Sequence, residues 1–358
     1  MKVVLSGYYG FDNVGDEAIL YSIIQVLREI EPAIEITVLS NAPEKTASTY
    51  QVKAVNRWSI PEIFKALKAS DGLISGGGSL LQDETGMKSI PYYTGVMKLA
   101  HFAGKPVFVY AQGMGPIHKK VSKWITKNAL NKTKITVRDQ DSLTLLQNIG
   151  IKKPINIVPD PVLGLKRKEQ KSAWWENQSF AGPVITVSVR DWPSTVNFKG
   201  KIAKSLDSLA KEGNTIVFVP MHGAHDEKAS KEVAEMMIEK SYIAPHDATI
   251  EEKITIIGES DLLVGMRLHA LIFSAITYTP FIALSYDPKI DAFANIADQQ
   301  VAGHVLKDNW DESTLVSAIK ETLENKETKI KNLCQKIEPQ QKHAVHTAEE
   351  ALRYFKQL

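Results

Sequence analysis

The chain has 358 residues, enough for two domains of ordinary size that each bury a core of their own. With 44% hydrophobic and 23% charged residues it has the composition of a soluble globular protein. Its 43 basic and 41 acidic side chains leave a net charge of +2, so bulk charge gives no case for nucleic-acid binding. The lone Cys334 excludes an internal disulfide framework and a cysteine-rich metal site, and it fits a reducing cytoplasm.

Near the N-terminus, Lys2 is followed within a turn or two by Asp12 and Asp16, so no apolar signal core is expected there. The longest apolar stretch, Leu271 to Tyr286, is broken by Ser, Thr and Pro280 and reads as a helix followed by a strand, not as a membrane span.

In chain order, strands are expected at Lys2–Ser6, Ile34–Leu39, Val52–Val55, Gly72–Ser75, Val107–Tyr110, Ile135–Val137 and Ile155–Val158. They continue at Val184–Val189, Thr215–Val219, Leu262–Val264 and Phe281–Leu284, with helical-period segments between them. This alternation is the signature of βα units and parallel sheets, here an α/β chain of two Rossmann-like domains facing across a cleft. The boundary falls where Pro159-Asp-Pro161 through Gly182-Pro183 punctuate the chain and Lys166-Arg-Lys-Glu-Gln-Lys171 breaks the alternation. The expected division is therefore a first domain at 1–165, a linker at 166–182, a second domain at 183–345 and a C-terminal helix at 346–358. The apolar spacing from Glu349 onward is that of an amphipathic helix packed on a domain.

The loop after the first strand, Ser6-Gly-Tyr-Tyr-Gly-Phe-Asp12-Asn13-Val-Gly15-Asp16-Glu17, is Gly-rich and precedes a helix. Its glycines at 7, 10 and 15 do not fit G-x-G-x-x-G, the second strand ends in Ser40-Asn41 with no acidic residue, and no Gly-Lys-Ser/Thr loop follows. Asp12, Asn13 and Asp16 suit hydrogen bonding to sugar hydroxyls, with a helix cap as the plainer role for Asp16. Ser75-Gly76-Gly77-Gly78-Ser79-Leu-Leu-Gln82-Asp83 again lets backbone approach a ligand at a strand end, and Gln112-Gly113-Met-Gly115-Pro repeats the theme. Arg138-Asp139 followed by Ser142 reads as a strand end with a helix cap. Lys119, Lys120, Lys123 and Lys127 share one helical face around Trp124, which is either a solvated face or a patch toward anionic lipid head groups.

In the second half, three strands end in Arg190, in Met221-His222, and in Arg267-Leu268-His269, the last opening a helix. Strand C-termini of an open parallel sheet are where ligands collect. A permanent cation and a titratable imidazole at a helix N-terminus can hold a phosphate and move a proton. The competing reading pairs Arg267 with a nearby carboxylate and leaves His269 a satisfied buried histidine.

Taken together, Gly7-Tyr-Tyr-Gly-Phe-Asp-Asn-Val-Gly-Asp-Glu17, Gly76-Gly-Gly-Ser79, Gln112-Gly113, Arg138-Asp139, Arg190, Asp261 through His269, Tyr286 and Lys289 resemble the polysaccharide pyruvyl transferase family, and within it the CsaB-type enzymes of bacterial cell-wall polymers. The resemblance implies a GT-B arrangement, with phosphoenolpyruvate as co-substrate and neither cofactor nor metal. The acceptor it implies is an N-acetylmannosamine residue on a lipid-diphosphate-linked disaccharide, which receives a 4,6-linked pyruvate ketal. It also implies a cytoplasmic enzyme with possible peripheral contact at the membrane face. On that basis Arg190, Arg267, Leu268, His269 and Lys289 are expected to bind the donor. Asp12, Asn13, Asp16, Gly77, Gly78, Gln82, Asp83 and Gln112 are expected to bind the acceptor. Acid catalysis falls to His269 or His222 and hydroxyl activation to Asp12 or Asp16. A nucleotide-sugar glycosyltransferase of the same fold, or a non-catalytic glycan-binding protein, are the alternatives.

Overall fold

A computed structural model describes residues 1–84, 88–166 and 172–357. The chain forms two compact units, Met1–Leu165 with Gln340–Leu358 and Lys166–Pro339. In the first unit, strands β1 (Lys2–Ser6), β2 (Glu35–Ser40), β3 (Lys53–Asn56), β4 (Gly72–Gly76), β5 (Ser79–Leu81), β6 (Val107–Met114), β7 (Lys134–Val137) and β8 (Asn156–Ile157) alternate with helices. These are α1 (Val14–Ile30), α2 (Pro43–Tyr50), α3 (Ile60–Lys68), α4 (Ser89–Phe102), α5 (Lys120–Leu130) and α6 (Gln140–Ile149).

In the second unit the one-turn helix α7 (Ala173–Glu176) precedes β9 (Val184–Ser188), β10 (Thr215–Phe218), β11 (Ser241–Ile243), β12 (Leu262–Gly265), β13 (Phe281–Ser285) and β14 (Gln300–His304). Between and after them lie α8 (Phe198–Lys211), α9 (Gly223–Met236), α10 (Ile250–Gly258), α11 (Leu268–Ile276), α12 (Pro288–Ile296), α13 (Glu312–Glu324) and α14 (Lys326–Lys356).

Both sheets are parallel and share one topology. The first runs β3-β2-β1-β4-β6-β7-β8 with β5 on β6, and the second β11-β10-β9-β12-β13-β14. Strand order reverses between β1 and β4 in one and between β9 and β12 in the other, and at such a switch point the following loops diverge and leave a ligand crevice. The central strands β4, β6, β9, β12 and β13 are buried along their whole length, as helices on both faces require, and each is an almost unbroken apolar run. The α/β class with two Rossmann-like units expected from the sequence is therefore the one observed.

Three strands carried no apolar run to announce them. β5 is a three-residue branch off β6, while β11 and β14 are half-exposed edge strands. In the segment read as a linker, residues 167–171 lie outside the described residues. Beyond them the rings of Trp175 and Phe180 meet at 4.7 Å, and Phe180 packs edge-on against Tyr242 of β11 at 5.1 Å.

Helix α14 begins in the second unit, and the first unit takes over from Gln340, just past Pro339, a helix start well before the expected 346. Its buried residues Ala344, Ala348, Ala351 and Phe355 recur at helical spacing on one stripe. A Cβ on Gly72 would meet the Phe355 ring at 2.5 Å, so this strand position admits only glycine beneath the helix. No helix among the described residues is long and apolar enough to cross a membrane.

Candidate active site

In the second unit, the switch point delivers Arg190 from the end of β9 and Arg267 from the end of β12. Arg190 donates from Nη1 to the Tyr286 hydroxyl at 2.8 Å and from Nε to the Asp191 carbonyl at 3.3 Å. Its guanidinium lies 4.8 Å from the ring centres of both Trp192 and Tyr286, whose rings are 4.4 Å apart. Among the described residues no carboxylate forms an ion pair with Arg190. It is a cation held in place by π faces, with its charge left for an anion.

Arg267 is the N-cap of α11. Its guanidinium grips Asp226 with both forks, Nε to Oδ2 at 2.9 Å and Nη2 to Oδ1, and Asp226 is 1% exposed. Asp226 also accepts the Met221 N–H at 3.2 Å. The competing reading of Arg267, a carboxylate partner, is therefore realised. The pair still leaves the guanidinium at the strand end, beside the first-turn amides of Leu268 and His269. His269 is half-buried at the second position of the helix.

His222 is the N-cap residue of α9 and half-buried. Burial pushes its imidazole below the usual range, the cations Arg267 and Arg190 push the same way, and Asp226 opposes them. Lys289, expected as a further counter-charge, is exposed and paired with Asp287 at 2.9 Å. Beneath the site Lys253 is 1% exposed and donates to the carbonyls of Pro220 at 2.9 Å and His246 at 3.0 Å, which fixes the turn that carries His222.

In the first unit, the helix cap, the plainer role weighed for Asp16, belongs to Asn13. The Asn13 side chain accepts the Gly15 N–H at 3.1 Å, which places Asp16 in the first turn at the positive end of α1. A Cβ on Gly78 would stand 2.6 Å from the Asp16 carboxylate, and one on Gly77 would meet the Ile19 methyl at 2.1 Å. Gly77 and Gly78 also have positive φ, +41° and +68° respectively. Gly77 thus answers to packing and φ, whereas Gly78 lets the turn close directly over Asp16.

Asp12 has φ 58° and is solvent-exposed, paired with Lys45 at 2.6 Å. Glu17 is a half-buried carboxylate in the first turn of α1. Burial raises its pKa, against hydrogen bonds from Tyr50 and the Gly10 N–H. Gln82 accepts the Glu84 N–H at 2.8 Å within its own turn. Asp83 accepts from the backbone of His118 at 2.8 Å and Lys119 at 3.0 Å, pinning the approach to α5.

Gln112 is fully buried at the end of β6, and neither its amide oxygen nor its nitrogen has a hydrogen-bond partner among the described residues. The Ser75 hydroxyl, on β4 beside β6, is in the same state. Arg138 pairs with the buried Asp160 at 2.9 Å and Asp139 caps α6 by accepting the Ser142 N–H, the strand end and cap that their spacing predicts.

Three partners escaped the sequence reading. Asp226 lies four residues after His222, the helical spacing that sets an acid one turn below the strand end. Trp192 stands two residues beyond Arg190. Arg57, 3% exposed, donates to the Gly7 carbonyl at 3.0 Å and the Tyr93 hydroxyl at 3.2 Å within a cage of Phe11, Trp58, Tyr92 and Tyr93. It ties the Gly-rich loop to β3 and α4, and only the Arg57-Trp58 pair after a strand hinted at it.

Two parallel sheets with switch-point loops of this kind define a protein of two Rossmann-like units, and solved structures share the fold. Anabaena Alr3699/HepE, in complex with UDP and glucose, is similar over the full length of both chains with a TM-score of 0.65 at 11% identity. A putative UDP-N-acetylglucosamine 2-epimerase from Listeria monocytogenes gives a TM-score of 0.71 at 11% identity, over 100% of this chain and 97% of that one. The profile of the polysaccharide pyruvyl transferase family matches residues 13–288, so the chain belongs to that family. The amylovoran biosynthesis protein AmsJ of Erwinia amylovora is 22% identical, over 81% of this chain and 84% of that protein.

Proposed function

We propose that the protein transfers the pyruvyl group of phosphoenolpyruvate to two hydroxyls of one sugar, forming a ketal and releasing phosphate. The observation that carries this reading is Arg190, a guanidinium with no carboxylate ion pair among the described residues, lying over the rings of Trp192 and Tyr286 at the same switch point as Arg267 and the α11 amides. Phosphoenolpyruvate carries a phosphate and a carboxylate; the Arg190 charge and the α11 N-terminus attract these groups, and Arg267, its charge balanced by Asp226, adds directed N–H donors.

In the reaction, a proton is delivered to the methylene carbon of the donor, and the neighbouring carbon gains oxocarbenium character. A sugar hydroxyl attacks that carbon and gives up its proton to a base. The second hydroxyl then displaces phosphate, which takes up that hydroxyl's proton as it leaves, and closes the ring. His269 or His222 supplies the proton. His222, held neutral in the free protein, becomes more basic once an anionic donor lies beside it. Asp16, held against the Gly78 turn, is the better placed base, because Asp12 faces solvent and Lys45. The donor is thus assigned to the second unit and the acceptor to the first, where Gln112 has unmet hydrogen bonds to offer a hydroxyl. By family resemblance the acceptor is a β-N-acetylmannosaminide of a lipid-linked cell-wall precursor.

The test is phosphate release from phosphoenolpyruvate with and without a β-N-acetylmannosaminide, in wild type and Asp16→Asn. Acceptor-dependent release that Asp16→Asn impairs at unchanged donor affinity supports the assignment. Binding of UDP with no response to phosphoenolpyruvate would instead make the chain a nucleotide-sugar enzyme. Disaccharide binding with no phosphate release from any donor would make it a glycan-binding protein.

A further inference from the structure

The charge of this chain is not evenly spread. Between Glu84 and Asp139 the sequence contains no Asp or Glu, and it contains ten Lys or Arg, in a chain whose net charge is only +2. That stretch builds α4 and α5, which pack on one another in the first unit. The positive potential is felt inside the unit as well. Lys132 and Lys153 push the His101 imidazole down, after burial, and Lys153 itself falls to about 8 through burial and Lys134.

Helix α5 has an unusual outer surface. Trp124 is 64% exposed and Val121 67% exposed, and Lys119, Lys120, Lys123 and Lys127 beside them are all exposed. Among the described residues none of these four lysines pairs with a carboxylate. Asp83, before the stretch, is turned to the backbone amides of His118 and Lys119, and Asp139, after it, caps α6. Phe102, at the end of α4, is 82% exposed. An aromatic-aliphatic centre with a lysine fringe and no acid is poorly matched to water alone. It is well matched to the boundary between anionic head groups and acyl chains, where tryptophan sits at the interface and lysine stems reach back to phosphates.

We propose that the α5 face is a reversible docking surface for an anionic lipid bilayer, with Trp124 and Val121 entering the head-group layer and the lysines meeting lipid phosphates. Nucleic acid shares the phosphate chemistry but gives an exposed Val121 and Trp124 at the centre of a rigid helix nothing apolar to enter. Such docking is weak for each contact, screened by salt and selective for lipid charge.

The test is co-sedimentation of the full chain with vesicles of phosphatidylglycerol and with vesicles of phosphatidylcholine, at low and high salt. It uses wild type, Lys120→Glu with Lys123→Glu, and Trp124→Ala, each verified by circular dichroism to be folded. The expected result is binding to phosphatidylglycerol only, lost at high salt, reduced at least about tenfold by the double charge reversal and several-fold by Trp124→Ala. Lys120→Gln with Lys123→Gln should fall between wild type and the reversal. Equal binding by wild type and reversal, or equal binding to both lipids, overturns the proposal. So does a preference for a DNA oligonucleotide over vesicles that depends on the lysines and ignores Trp124. Phosphate release with a short water-soluble acceptor should be unchanged in all three variants, which separates failure of this surface from failure of the reaction assigned above.

Discussion

Arg267 and Asp226 meet fork to fork, Nε on Oδ2 at 2.9 Å and Nη2 on Oδ1, with the carboxylate buried in the first turn of α9. The pair joins the end of β12 to the first turn of α9 after β10, so the guanidinium proposed to meet the donor is held by a buried carboxylate. Arg267→Lys keeps the charge and loses the fork. It should lower kcat/KM for phosphoenolpyruvate by about 10- to 100-fold, the scale of one charge-assisted hydrogen bond. Asp226→Ala should destabilise the fold by about 3–5 kcal/mol in urea unfolding, because it strands a half-buried cation and the Met221 N–H. Unchanged donor kinetics in the lysine variant would remove Arg267 from the site.

Arg190 presents the complementary case, in which π faces do what a carboxylate does for Arg267. Trp192→Leu should leave stability within about 1 kcal/mol, since Trp192 is only half-buried, yet raise the KM for phosphoenolpyruvate several-fold by letting the guanidinium swing. Steady-state kinetics with thermal unfolding of the same variant measure both. A stability loss with no kinetic change would make the stack structural.

For Gln112, stability and function should move in opposite directions. An amide buried without partners is destabilising, so Gln112→Met should raise stability by about 1–2 kcal/mol. Acceptor-dependent turnover should fall at the same time, because the methionine offers no hydrogen bond to a hydroxyl. A variant that gains stability and keeps full turnover would show that the amide serves no substrate.

His222 gives a pH dependence of definite sign. Its folded pKa lies below the unfolded value of about 6.5, through burial first and the two arginines next. Its contribution is therefore fully present above about pH 6.5 and lost as pH falls through the folded pKa. Wild type should lose more stability between pH 7.5 and pH 5 than His222→Gln, as read from urea midpoints at each pH. Parallel losses in both proteins would place the acid sensitivity elsewhere.

Arg57→Met should cost about 3 kcal/mol and loosen the Gly-rich loop, since the Gly7 carbonyl and the Tyr93 hydroxyl lose their shared donor. Faster amide exchange at Gly7 to Asn13 would report the loosening. A rigid loop in that variant would show that the aromatic rings alone suffice.

Much of this architecture was legible because apolar strands and their C-terminal residues are local features. The run Leu262–Gly265 followed by Arg267-Leu-His269 placed a cation at a strand end without knowledge of any neighbour. What stayed hidden depends on distant partners. Whether Arg267 meets a carboxylate is decided by Asp226, 41 positions earlier in the sequence. A cap was the plainer of the two roles the sequence offers Asp16, yet Asn13 holds the cap geometry, and only the φ values and close contacts of the Gly77-Gly78 turn reveal what Asp16 faces. Edge strands such as β11 and β14 escaped because half-exposed strands need no continuous apolar run.

The route of α14 has a consequence for how the protein comes into being. A helical stripe ending in Phe355 fills the face beneath which Gly72 allows no side chain, so the first unit's sheet lacks a piece of its core until residues that follow the whole of the second unit have been made. The second unit, contiguous from Lys166 to Pro339, can close before that moment. The order of synthesis is thus reversed in the order of completion: the first unit waits, partly open, for residues 340–357, and a chain stalled before them would carry a finished second unit joined to an unfinished first.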